Sequence, residues 1–357
     1  MRISIKPLLP IIMAGGLIVV TSACASDTQA GTGNNKTVTV VAYDSFTPSK
    51  EVVEAFTKQS GIAVKLITGG DTGELVNKAI LTREDPLGDV LYGVDSSFFS
   101  RAVREGLFEP YQSPAVAAIN PAFTALVPGH QVTPVDYGDV CINYDKTVLL
   151  AKGIAAPESL ADLAKPEYRD MLVVENPATS SPGLAFMMAS VATFGENGWA
   201  DYWKQLRANG VKVVSGWDEA WNTEFSAGEG KGARPIVVSY ASSPPAAVLY
   251  GPDPKATETP IGVSAATCFR QVEFVGVLRK AKNPKAAQAF IDFTIGRQFQ
   301  EDLPLSMFVF PVRTNTKLPE LFTKFAVIPA SPLTIPAQKI SQNRERWIDE
   351  WTTTVLS

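Results

Sequence analysis

The sequence predicts an α/β chain folded as two lobes joined by extended crossings. Three observations carry this prediction. β-branched runs alternate with helical patterns through residues 37–93, a second block of the same kind occupies residues 172–240, and strand-like segments at 135–144 and 272–278 lie between and after the blocks. At 357 residues the chain is long enough for two such bodies, at roughly 150 residues each.

Residues 37–43 (TVTVVAY) alternate as a strand does, and residues 49–60 then place apolar side chains at helical spacing. Residues 63–68 (AVKLIT) form a second strand, followed by Gly69-Gly70-Asp71 and a helix over 74–83. Residues 89–93 (DVLYG) form a third, which completes β-α-β-α-β, the pattern of parallel construction. The second block reads as strand 172–175, helix 183–194, strand 211–214, helix 219–226 and strand 235–240. Residues 135–144 (VDYGDVCINY) cross between the blocks, and 272–278 must return to one of the sheets. Helices over 284–295 and 342–354 close the chain, with Asn283 and Ser341 as nearby capping residues. Trp347 and Trp351, four residues apart, form a packing stripe, and Trp199, Trp203 and Trp221 fall in helical patterns as core residues.

Composition excludes several functions. A formal charge of −4 and a pI near 5.3 give no clustered basic surface for nucleic acid. The single histidine, His130, rules out an HExxH zinc site and a multi-histidine iron cage. No Gly-x-Ser-x-Gly elbow is present, and Gly228-Glu229-Gly230-Lys231 lacks the upstream glycine and the following Ser/Thr of a phosphate-binding loop.

The first residues read as an export leader. Arg2 and Lys6 precede an apolar run over residues 8–20, too short for the roughly 20 residues that a membrane-spanning helix needs. Thr21-Ser22-Ala23-Cys24 resembles a bacterial lipobox, with Thr21 where leucine is more usual; Cys24 is then lipidated, the alternative being plain secretion. Residues 1–23 are thus a signal peptide and 24–36 a flexible tether, on the extracytoplasmic face of the membrane or in the periplasm. Losing Arg2 and Lys6 takes the formal charge from −4 to −6. In an oxidising compartment Cys141 and Cys268 are either a structural bridge or two buried free thiols, and their distance in sequence excludes CxxC chemistry.

In open α/β sheets ligands sit outside the carboxyl ends of the strands, so the loops there are the candidates for function. Tyr43-Asp44 follows the first strand, Asp71 the second, Asp95 the third, and Asp136 lies at the crossing. Each acid alone is equally an ordinary helix cap; their repetition at successive strand ends raises the functional reading. In the second block, Thr179-Ser180-Ser181 opens a helix, where free N–H groups and hydroxyls make either an anion site or an elaborate cap. Trp217, Tyr240 and Ser243 lie in strand-end loops where core packing has no evident need of the aromatic rings. Acids and aromatic faces attract a planar cation, and the hydroxyl cradle suits a phosphate tail.

The runs Tyr43-Asp44-Ser45-Phe46, Asp136-Tyr137-Gly138 with Tyr144-Asp145-Lys146, Pro177 to Gly183, Gly216-Trp217-Asp218-Glu219-Ala220, Ser239 to Pro244 and Arg346 to Trp351 together resemble the thiamine-binding subunits of bacterial ABC importers. The resemblance extends from about Thr37 to the C-terminus. It implies an α/β two-lobed type II periplasmic-binding-protein fold with a hinge and an inter-lobe ligand cleft. Lobe 1 would comprise residues 37–136 plus about 270–315 and lobe 2 residues 137–269, with 316–357 a C-terminal helical segment that could join either. The resemblance also implies a monomeric, non-enzymatic protein without a cofactor that captures thiamine or its phosphate esters and delivers them to an ABC transporter permease. Tyr43, Trp217 and Tyr240 would contact the rings, Asp71 would face the aminopyrimidine or thiazolium, and Ser180 and Ser181 would bind phosphate oxygens. The chain departs from the family pattern at Ala246, where tyrosine is frequent, and at Phe308, where tryptophan precedes the aromatic-proline pair. Polyamine or ferric iron is the alternative cargo, and an exported enzyme on the same scaffold, with Cys141 as nucleophile, a third reading.

Overall fold

The computed structural model describes residues 37–357; the leader, Cys24 and the tether lie outside the described residues. The strands are β1 (Thr37–Ala42), β2 (Ala63–Thr68), β3 (Val90–Asp95), β4 (Phe108–Glu109), β5 (Thr133–Asp145), β6 (Leu172–Glu175), β7 (Lys212–Val214), β8 (Ile236–Tyr240), β9 (Ile261–Leu278) and β10 (Phe310–Pro311). They make one continuous sheet, in the order β2-β1-β3-β9-β5-β8-β6-β7, with β4 on β9 and β10 on β5.

The two predicted blocks are its two ends. β1 pairs parallel with β2 and β3, joined by helices Lys50–Ser60 and Thr72–Leu81. β6 pairs parallel with β7 and β8 at the other end. Every residue of β3 is buried, as expected for a strand covered on both faces.

β5 and β9 pair antiparallel through the middle and tie the ends together, so the late strand joins a shared sheet rather than one of two. β9 begins at Ile261, eleven residues before the pattern marks it, because Gly262, Ala265 and Ala266 interrupt the alternation that identifies a strand. The ladder shifts register between Pro134 and Asp136 and again between Val140 and Ile142. Pro134 has no N–H to give, and an irregularity is where a central strand accommodates proline. Arg270 is bonded to Asp139 directly opposite it, at 2.5 Å from Nε. Two residues further along β5, Cys141 meets Cys268 with sulfurs 2.00 Å apart.

Ser49 caps Lys50–Ser60 by accepting from the Val52 N–H, and Gly61, at φ 70, ends the helix. Two predicted caps are corrected. Asn283 directs its N–H and its amide to Asp89, leaving Pro284 to start the helix unaided. The last helix, Ala337–Val355, begins after Pro336 and not at Ser341, which lies in its interior.

Helix Ser181–Ala208 is broken at Gly195, and Ala337–Val355 lies along it. The edge of Trp351 meets Trp203 at 5.4 Å, and Trp347 Nε1 donates to Glu196 at 3.1 Å. The same last helix reaches the other end of the sheet, where the Arg344 guanidinium covers Phe98 at 4.4 Å. Trp199, Trp203, Trp347 and Trp351 are all fully buried. Trp351→Ala is expected to cost about 3–5 kcal/mol of unfolding free energy, read as a lower urea midpoint.

Candidate functional site

The carboxyl ends of β1, β2, β7 and β8 open on a cavity of about 440 Å³ whose floor is β9. Eight of the eleven candidate residues line it: Tyr43, Asp44, Asp71, Ser181, Trp217, Tyr240, Ser243 and Phe308. Asp95, Asp136 and Ser180 are set behind the wall, each fully buried. Asp95 is bound by the Ser97 and Phe98 N–H groups and two hydroxyls, Asp136 sits within β5, and Ser180 accepts the Gly183 N–H as helix cap.

Two glycines seat the two cleft tyrosines. A side chain at Gly93, whose φ is 94, would place its Cβ 2.2 Å from Tyr43 Cε1. One at Gly138 would come 2.7 Å from Tyr240 Cδ1. Neither approach is tolerable for a larger residue, so each ring packs directly against glycine backbone. The Tyr43 hydroxyl donates to Glu273 Oε2 at 3.0 Å, and Tyr240 Oη lies 3.3 Å from Gln271 Oε1. Burial raises both phenols well above their ordinary range, so they remain hydroxyl donors.

Trp217 forms the facing wall. Its ring stacks on Trp221 at 5.7 Å and 14°, and its Nε1 donates to Ser239 Oγ at 2.9 Å. Trp221, expected in the core, lies against the cavity while only 7% exposed. Tyr250 meets the edge of Phe308 at 5.9 Å at the rim.

Asp71 joins the two ends of the sheet. Its carboxylate accepts from the N–H groups of Thr72 at 2.6 Å, Trp217 at 3.0 Å and Ser181 at 3.4 Å. The positive end of helix Ser181–Ala208 therefore already faces an acid of the chain itself. The expected hydroxyl cradle is also engaged internally: Ser181 donates to Asp95 at 2.5 Å and Thr179 to the Ser215 carbonyl at 2.6 Å. Burial outweighs these bonds and raises Asp71 to about 6. Glu175, beneath the same helix start, is fully buried with both oxygens unpartnered, and its carboxyl is held far above the usual range by desolvation.

Glu273, Trp221, Asn222 and Tyr250 line the cavity without having been marked in the sequence. A lone acid in the apolar run Val272 to Leu278 was the one available signal for Glu273. Among the described residues no group of three or more His, Cys, Asp or Glu side chains is placed to hold a metal ion.

A family model described as bacterial extracellular solute-binding protein matches residues 85–324. The chain is 29% identical over 322 residues to the thiamine-binding periplasmic protein of Escherichia coli (strain K12), covering 88% of this chain and 92% of that protein. It is equally 29% identical to the thiamine-binding periplasmic protein of Brucella suis biovar 1 (strain 1330), across 88% of this chain and 91% of the relative. A solved periplasmic thiamin binding protein superposes with a TM-score of 0.78 at 27% identity, over 91% of this chain and 98% of that one.

An acid whose pKa is raised on folding contributes stability below its unfolded value, near 4, and loses that contribution as pH rises through its folded value. For Asp71 the window runs from there to about 6. Relative to Asp71→Asn, the wild type should lose on the order of 3 kcal/mol across this window and change little above it, measured by urea unfolding at stepped pH.

Proposed function

Because the chain belongs to the bacterial extracellular solute-binding protein family, we propose that its cleft captures thiamine outside the cytoplasm and hands it to an ABC transporter permease. The observation that carries this reading is the pairing of aromatic faces with acids that, among the described residues, form no salt bridge. Tyr43, Tyr240 and the stacked Trp217–Trp221 pair surround Asp71 and Glu273 in one cavity. A thiazolium is a planar cation, attracted by both the ring faces and the carboxylates, and an aminopyrimidine adds donors that a carboxylate can accept. Thiamine-binding relatives that align over most of the chain support the same ligand. Because Asp71 and Asp95 already engage the Ser181 donors, the unesterified vitamin fits better than its phosphates. Transport by such a protein needs no chemical step, and this one is read as a binding protein and not an enzyme.

The two ends of the sheet are proposed to act as lobes, 37–136 with 270–315 and 137–269, closing on the ligand through the Asp71 contacts. Ligand shifts the population towards the closed form by its differential affinity for it. The last helix is assigned to the second lobe on its packing along Ser181–Ala208. The chain is proposed to leave the cytoplasm by its leader, to be held at the membrane by a lipid on Cys24, to act as a monomer and to carry the Cys141–Cys268 bridge.

Calorimetry of the purified protein should give thiamine a dissociation constant below about 10 μM, near −7 kcal/mol, with the mono- and diphosphates weaker. Spermidine or ferric iron binding in place of thiamine would replace this reading with one of the alternatives. Trp217→Ala should weaken thiamine by roughly 10–100-fold, since it removes the exposed member of the stack. Thiol titration of the unfolded, unreduced protein should find Cys141 and Cys268 unreactive.

A further inference from the structure

Three carboxylates stand in one row across the centre of the sheet. Asp95 of β3 is opposite Glu273 of β9, and Glu273 is opposite Asp136 of β5. Opposite residues in an antiparallel ladder share a face about 5 Å apart, where like charges repel. Among the described residues, none of the three takes part in a salt bridge, although Asp139 and Arg270, further along the same pair of strands, do.

The surroundings decide which of the three is charged. Asp95 accepts the Ser97 and Phe98 N–H groups and the Ser97 and Ser181 hydroxyls, more donors than either of the other two acids has, which favour its charged form against the burial that raises it. Glu273 accepts Tyr43 on one oxygen and Gln271 on the other. Asp136 accepts Tyr92 at 2.9 Å on Oδ2, and its Oδ1 is buried with no partner. The remaining ionisable neighbours are Asp71, Tyr240 from β8, Asp302 behind Tyr92, and Arg344, which lies nearest Asp95 and is itself bonded to Glu345. Burial raises all three acids, and the neighbouring Asp136 and Asp95 raise Glu273 further. Three buried acids in register without a counter-ion cannot all be ionised, so the pair with fewer donors keeps a proton. Of that pair, only Glu273 reaches the cavity.

We propose that Glu273 is the residue that recognises the positive charge of the ligand, and that the proton it shares with Asp136 leaves to solvent as the cation binds. The inference rests on the cleft being a thiamine site. An uncharged ring of the same shape gains nothing from Glu273 and leaves the proton in place, so the pair selects cations over neutral isosteres. Since binding releases a proton, affinity for the cation rises with pH until the pair is already ionised without ligand.

Calorimetric titration with thiamine in two buffers of different ionisation enthalpy counts the protons. About one proton should leave per thiamine bound near neutral pH, with roughly tenfold tighter binding per pH unit while the pair is protonated. The wild type should prefer thiamine by roughly 100-fold over the analogue in which a neutral thiophene replaces the thiazolium. Glu273→Gln should lose that preference and the proton release; Asp136→Asn should keep the preference but bind with no proton exchange. Wild-type binding without proton exchange, or a Glu273→Gln protein that still prefers the cation, overturns the inference and leaves the thiamine assignment intact. No thiamine binding by the wild type overturns both. Circular dichroism and melting establish that each variant is folded; if Glu273→Gln does not fold, the wild-type proton count and Asp136→Asn decide.

Discussion

β5 and β9 run antiparallel through the middle of the sheet, and every other part of the molecule takes its place from that pairing. The two parallel blocks have no ladder to one another except through it. β3 is held to β9 on one side and β8 to β5 on the other, so the carboxyl ends of both blocks face a common floor. The floor is unusual in what it carries: Asp136, Gln271 and Glu273 are polar side chains buried in the two central strands. Burying such groups costs several kcal/mol unless they are bonded or find a charge partner. Tyrosines from outside the pair supply part of that bonding, which makes the aromatic residues of the cleft part of the support for its acids.

Asp71 relates fold to motion. It starts one helix and receives N–H groups from the start of a second helix and from the loop that carries Trp217. These are backbone donors, fixed in direction by the elements they belong to, so in the proposed closure the contact would form in one relative placement of the two ends of the sheet. The aromatic wall and the acid that faces it thus arrive together.

The parallel blocks were legible in the sequence because β-branched alternation and helical spacing are strong local signals, and strands 63–68 and 172–175 fall on the predicted residues. The cleft is legible to the same extent, since Tyr43, Asp44, Asp71, Trp217, Tyr240 and Ser243 all lie at or after strand ends that the pattern locates. Asp95, at the end of β3, and Asp136, which lies inside β5 and not at a strand end, are both set behind the wall. Strand-end position does not specify which way a side chain turns, and both acids have buried donors that draw them inward. Glu273 falls inside the legible strand 272–278, but the sequence does not show that this stretch pairs centrally between β3 and β5, and only that tertiary pairing brings Glu273 to the floor of the cavity. Trp221 lies in the core, as its helical spacing predicts, and the single π-helical turn Glu219–Glu224 that carries it also sets one face of the ring behind Trp217 at the cavity.

The seats of the two tyrosines bear on how this protein can change over evolutionary time. With backbone pressed against Tyr43 at Gly93 and against Tyr240 at Gly138, substitutions at the floor displace a ring and the Glu273 or Gln271 side chain hydrogen-bonded to it. The rim is under no such restriction: Glu229 and Tyr250 are exposed and Ala246 is only half-buried, all along the same cavity. Descendants of this sequence can therefore explore new substituents on a ligand by drifting at the mouth, while the ring chemistry accepted at the bottom is inherited nearly unchanged.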